Sequence, residues 1–244
     1  MMQKTPINLW NKYLELEKGK LKTQASEILD DFIEATQECN PEELQAWVFE
    51  ISRQYVDLEI NLPIRLPLFS EVIFPVLYKG LKNNEPNCAR WLAGYHSFID
   101  QSKEITRKIG KESASEVELL RKALLSNPLD QLATRKMVKA LAWQINYSLH
   151  EIPNEVYYGN HCAKIEDCDL LLEEVLEFEQ LAQSIEKGHE FRALIEIAKI
   201  HYQAFKNYLQ RKREYSGYQD YCIRHDIQMY KVPRLIKSEY PVED

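Results

Sequence analysis

Asn40-Pro41-Glu42-Glu43-Leu44-Gln45-Ala46-Trp47-Val48-Phe49-Glu50-Ile51, continued through Tyr55 to Leu58, decides the fold class of this chain. Asn40 is an N-cap residue, and Pro41 suits the first helical position because no N–H is needed there. Glu43 stands three residues after the cap, where its carboxylate can reach back to the Asn40 N–H. Beyond this start Leu44, Trp47, Val48, Ile51, Tyr55 and Leu58 recur three and four apart, the spacing of one helix face. Such a stripe must be buried against a neighbour. Leu21, Ala25, Ile28, Leu29 and Phe32, just upstream, have the same spacing and are expected to supply that neighbour.

Outward from this pair the pattern repeats, an amphipathic segment and then a break at Pro, Gly or Asn. Ile60, Leu62, Ile64, Leu66 and Leu68 alternate like a strand, but Pro63 and Pro67 remove ladder donors, so an extended connection is expected. A helix resumes near Leu68 with Phe69, Val72, Ile73, Val76 and Leu77 inward, kinked or divided by Pro75. One long helix is expected from Pro86 to Gly110, with Trp91, Tyr95, Phe98, Ser102, Ile105 and Ile109 on one face. Ser115 with Glu118 marks another helix start. Val138, Leu141, Ala142, Ile145 and Leu149 follow at helical spacing up to Ile152-Pro153, and 154–167 reads as a loop. Two helices come next, one burying Leu171, Val175, Phe178, Ala182 and Ile185, the other Leu194, Ile195, Ala198, Tyr202, Phe205 and Leu209. A short helix near Tyr218 to His225 precedes the end of the chain. The reading is all-α, stacked antiparallel helical hairpins in a single domain over 1–244, with lobes 1–62 and 68–226 and an extended tail 227–244.

Composition agrees: 45% hydrophobic and 28% charged residues suit a globular chain, and 7 Gly among 244 residues leave few tight turns for an all-β fold. Lys and Arg number 31 against 38 Asp and Glu, a net charge of −7, which opposes any duty resting on neutralised nucleic-acid phosphates. The start lacks a signal-peptide core, no uncharged apolar run approaches the roughly 18 residues of a membrane span, and the five scattered cysteines do not read as a disulfide framework. A cytoplasmic location without membrane partners is expected.

Ala123-Leu124-Leu125-Ser126-Asn127-Pro128, followed by Asp130 and Ala133, resembles the junction between tetratricopeptide repeats, and Leu81, Pro86 and Ala89 repeat the offset. The fuller repeat pattern at fixed period is not reproduced, so the resemblance implies stacked helix hairpins over about a third of the chain. The segments Leu68 to Ala93, Asn127 through Pro153, and His201 to Leu209 with Tyr215 to His225 resemble uncharacterised bacterial all-helical proteins. That resemblance implies a whole-chain domain and no activity.

No P-loop, C-x-x-C pair, H-E-x-x-H or nucleophile elbow occurs, and no cofactor is expected. Trp143, Tyr147 and His150 share a helix face beside Glu151 and, along the chain, Tyr157 and Tyr158. Such a group can bind a partner's polar groups, or form the centre of a small enzyme or ligand-binding protein. His161, Cys162, Glu166, Asp167, Cys168 and Asp169 include ligand types, but their spacing matches no metal pattern, and no metal is expected. His201 lies on an apolar stripe, as a core histidine. Arg211-Lys212-Arg213 with Tyr208, Tyr215, Tyr218 and Tyr221 has the makings of a base-stacking surface, diluted by Glu214 and Asp220. The most informative signal is electrostatic: from Ile165 to Glu186 there are acids and no Lys or Arg, and Glu166, Asp169, Glu173 and Glu177 share one face. The expected function is a protein-interaction module, in concrete form an immunity or antitoxin-like protein whose acidic face binds a basic partner. Self-association through Trp10 or Tyr230 is a further expectation.

Overall fold

The computed structural model describes residues 5–155 and 164–230. Among these every regular element is helical and none is a strand, so the chain is all-α. It forms two compact units, Met1–Ala133 and Thr134–Asp244.

The first unit opens with α1 (Pro6–Lys18), α2 (Lys22–Thr36) and α3 (Pro41–Ser52). Sequence reasoning missed α1, although Pro6 at the helix start and buried Leu9, Trp10 and Tyr13 carry its signal. α1 packs on α2. Trp10 stands 5.7 Å from Phe32 and 5.3 Å from Trp47 between ring centroids, and those two rings are 5.0 Å apart. At 4% exposure Trp10 is a core residue, which corrects its assignment to a self-associating surface. Asn40 caps α3 through the Glu42 N–H at 2.8 Å. Leu21 precedes α2 and is exposed instead of buried.

α3 continues into a π-turn over Arg53–Asp57, closed by the Leu58 N–H donating to the Arg53 carbonyl at 3.0 Å. The additional residue in that turn rotates the apolar stripe. Val56 is therefore buried, and Leu58, expected inside, is exposed. The next stretch is extended as expected: Leu62 and Ile64 donate to the carbonyls of Ile60 and Leu62 at 2.8 Å each, and the Tyr13 hydroxyl donates to Pro63 O at 2.5 Å. This connection, read as the border between lobes, lies inside the first unit. α4 (Leu66–Leu68), a second π-turn (Phe69–Ile73) and α5 (Phe74–Lys82) then run on from one another, so Pro75 follows a widened turn and does not end the helix.

The long helix expected up to Gly110 is three: α6 (Cys88–Gly94), α7 (His96–Gln101) and α8 (Lys103–Ile109). The first break falls at Tyr95, next to Gly94, where a Cβ would meet Val56 Cγ1 at 2.4 Å. The second falls at Ser102, which leaves helical geometry and caps α8 by accepting the Ile105 N–H at 3.4 Å. Gly110, with φ 98°, closes α8 as expected. α9 (Glu116–Ser126) is capped by Ser115, which accepts the Glu118 N–H at 3.2 Å, and packs on α6.

Arg90 is buried within this unit. Its Nε and Nη2 donate to Asp57 at 3.0 and 2.8 Å, its Nη1 donates to Asp130, and Trp91 Nε1 donates to Asp57 at 2.9 Å. Asp130 also accepts the N–H groups of Leu132 and Ala133, each at 3.0 Å, and so caps α10 (Gln131–Glu151). Burial opposes the guanidinium charge, but Asp57 and Asp130 outweigh it and hold the Arg90 pKa above its ordinary value.

The second unit holds most of α10 with α11 (Ile165–Gln183), α12 (Arg192–Gln210) and α13 (Tyr218–Arg224). α11 and α12 form an antiparallel hairpin, as the crossing ion pairs Glu179–Lys199 and Asp169–Lys206, both at 2.5 Å, require. The Tyr202 hydroxyl on α12 donates to Ile145 O on α10 at 3.3 Å.

His201 is the satisfied core histidine expected: Nε2 donates to Gln228 O at 3.1 Å and Nδ1 meets the Tyr218 hydroxyl at 2.9 Å. A carbonyl can only accept, so Nε2 carries the proton. Burial lowers the His201 pKa despite the Gln228 carbonyl. Burial would raise the Glu155 carboxyl, yet Lys212 and the Tyr208 hydroxyl, with the Tyr218 N–H, hold it below its ordinary value. Both groups are depressed on folding, so the unfolded chain takes up their protons first and stability falls with pH. We expect one loss as pH drops below the ordinary histidine value of about 6.5 and another below the carboxylate value of about 4.3. Urea melts across pH check it: His201→Gln should flatten the upper step and Glu155→Gln the lower one, and unchanged slopes would refute the assignment.

Candidate functional site

On α11 the residues Cys168, Leu171, Val175, Phe178 and Ala182 are buried, which fixes the opposite face to solvent. Glu166, Asp169 and Glu173 are exposed there and Glu177 is half-buried, so the four acids do share a face. The structure adds two features that the pattern did not reveal. Lys206 of α12 pairs with Asp169, so part of the acidic charge is already answered within the unit, and Gln144 of α10 donates to Glu174 at 3.1 Å. Leu170 and Leu176 are 54% and 50% exposed among the acids. Their signal was available: both fall outside the inward spacing of Leu171, Val175 and Phe178. The outer face is therefore mixed, with Glu166, Leu170, Glu173, Leu176 and Glu177 at i, i+4, i+7, i+10 and i+11.

Trp143, Tyr147 and His150 also share a face as expected, on the outside of α10. Trp143 and Tyr147 are 49% and 43% exposed and stack with centroids 5.6 Å apart. His150 is exposed and meets the Tyr230 ring edge to face at 6.2 Å, while the Tyr230 hydroxyl donates to Asn146. Glu151 is half-buried at the end of the helix. Tyr157 and Tyr158, which the enzyme or ligand-binding reading requires, lie outside the described residues, as do His161 and Cys162. Among the described residues no group of three or more His, Cys, Asp or Glu is arranged to hold a metal ion. Cys168 is buried, and burial pushes its thiol up to about 11 with Asp167 and Asp169 adding to the shift. It is a poor nucleophile there.

In the basic stretch, two of the three cations have carboxylate partners. Arg211 pairs with Glu214 and Lys212 with Glu155. Tyr208, Tyr218 and Tyr221 are buried against one another, with Tyr208 and Tyr218 centroids 5.8 Å apart, so these three rings are not free to stack on bases. No helix among the described residues is long and apolar enough to cross a membrane.

Comparisons with protein-family models, with curated proteins and with solved structures return no match. The function therefore rests on the site itself.

Proposed function

We propose that the chain is a protein-interaction module whose α11 outer face docks a basic protein, the arrangement an immunity or antitoxin-like protein would use. The observation that supports it is the pair of half-exposed leucines, Leu170 and Leu176, set among Glu166, Glu173 and Glu177. Apolar side chains supply the desolvated centre of an interface, while surrounding carboxylates steer a basic partner and reject an acidic one. Asp169 contributes less, because Lys206 already holds it.

The test is affinity capture of the tagged chain from its native cells, followed by binding kinetics with the stoichiometric basic protein recovered. Glu166→Lys with Glu173→Lys should weaken binding by about tenfold or more at low salt, chiefly through a slower on-rate. Leu170→Ala with Leu176→Ala should instead speed dissociation and leave the salt dependence in place. Binding that is indifferent to the charge reversal overturns the acidic-face mechanism.

A further inference from the structure

The first unit contains an opening independent of the α11 face. The loops over 83–87 and 126–130 border a cleft of about 660 Å³, within the size range of small-molecule sites. Tyr78, Leu81 and Ile109 give it apolar lining, and Lys82, Lys122, Asn84 and Asn87 give it polar lining. Asn84 and Asn87 both sit at left-handed φ, 54° and 68°, a conformation that asparagine tolerates better than most residues. Their carboxamides add uncharged N–H donors to the same opening.

The acids of the cleft keep their charge but are held by other groups, whereas its lysines are not. Glu85 and Asp130 also line it, but Glu85 accepts Gln45 Nε2 at 2.6 Å, and Asp130 is committed to Arg90 and to the first N–H groups of α10. Among the described residues neither Lys82 nor Lys122 has a carboxylate partner, and Lys82 Nζ stands 4.5 Å from the centroid of the Tyr78 ring. Two ammonium groups without an ion-pair partner, beside an aromatic face and aliphatic walls, complement one kind of ligand. We propose that this cleft binds a small organic anion with an apolar body, an aromatic or aliphatic carboxylate, its head group held by Lys82 and Lys122 and its body against Tyr78, Leu81 and Ile109.

The experiment uses the full chain and two fluorescent probes, anilinonaphthalene sulfonate, which has an anionic head on an aromatic body, and phenylnaphthylamine, its uncharged counterpart. The sulfonate should bind saturably at one site, more weakly at higher salt, and should be displaced by phenylbutyrate. Lys82→Glu with Lys122→Glu should raise its Kd about tenfold or more, and the milder Lys82→Gln with Lys122→Gln should raise it less, with the uncharged probe affected by neither. Lys82 is exposed and Lys122 half-buried, so both pairs of substitutions should leave the helical circular dichroism intact. Glu166→Lys with Glu173→Lys, on the other unit, should not change probe binding, which separates this site from the proposed docking face. Sulfonate binding that is unchanged in the lysine variants overturns the proposal. So does parallel loss of both probes, or failure of phenylbutyrate to compete.

Discussion

Arg90→Met should destabilise the chain by about 3–5 kcal/mol, the cost of removing one partner from a buried ionic group. The magnitude comes from what is left behind. Asp57 loses two of the three donors it holds, keeping the Trp91 indole, and Asp130 loses its guanidinium contact while still accepting the Leu132 and Ala133 N–H groups. Two carboxylates then share a desolvated site without the guanidinium that joined them. If stranded charge is the cause, neutralising the acids must restore stability: adding Asp57→Asn and Asp130→Asn to Arg90→Met should recover at least half of the loss, because an asparagine carboxamide in place of the Asp130 carboxylate still caps α10. Arg90→Lys should fall between, since a single ammonium cannot reproduce donation from Nε and Nη2 to one carboxylate and from Nη1 to another. Urea denaturation followed by circular dichroism reads all three. A loss below about 1 kcal/mol for Arg90→Met, or no recovery in the triple variant, would refute the stranded-charge account.

The helices were legible in the sequence where one face had to be buried and a cap fixed the start. Asn40 and Ser115 cap as their side chains predict, Gly110 stops α8, and Leu171, Val175 and Phe178 are buried at the spacing that predicts them. What failed depended on partners distant in sequence or on small departures from the helical repeat. A π-turn over Arg53–Asp57 exchanges Val56 for Leu58 in the core, and periodicity assumes a constant 3.6 residues per turn, so it cannot register the added residue. Ser102 fits a helical face and a cap equally well, and the break at Tyr95 lies beside the close approach of Gly94 to Val56, which no local pattern records. The acidic face was legible as a run of charge. Its neutralisation at Asp169 was not, because Lys206 arrives from the neighbouring helix. Burial of Trp10 likewise depends on Phe32 and Trp47, which its own segment does not contain.

Gly188 gives the sharpest case of a residue whose type was legible and whose reason was not. After the α11 stripe it reads as a helix stop, a role that rests on left-handed φ. Among the described residues the glycine with positive φ is Gly110, so Gly188 is needed for another reason. A Cβ built there would lie 1.6 Å from the Ala182 carbonyl oxygen and 2.5 Å from its carbon. Those atoms are backbone at the end of α11, so no side chain can turn aside to make room, and either the last turn of α11 or the entry to α12 must move. Gly188→Ala should therefore cost about 2–4 kcal/mol, at or above the upper end of overpacking effects. Gly19→Ala is the control. Gly19 also follows a helix, but it has φ −76° and its nearest contact to a built Cβ is the Glu15 carbonyl oxygen at 3.4 Å, so alanine there should be neutral or stabilise by a few tenths of a kcal/mol. Paired urea melts of the two variants decide it, since a helix-propensity account predicts that both alanines help and only the steric account separates them. If Gly188→Ala stayed within about 0.5 kcal/mol of the parent, the tight crossing between Gly188 and Ala182 would not hold the α11–α12 turn. A shifted turn would also change the register of α11 against α12, which the Glu179–Lys199 and Asp169–Lys206 pairs bridge.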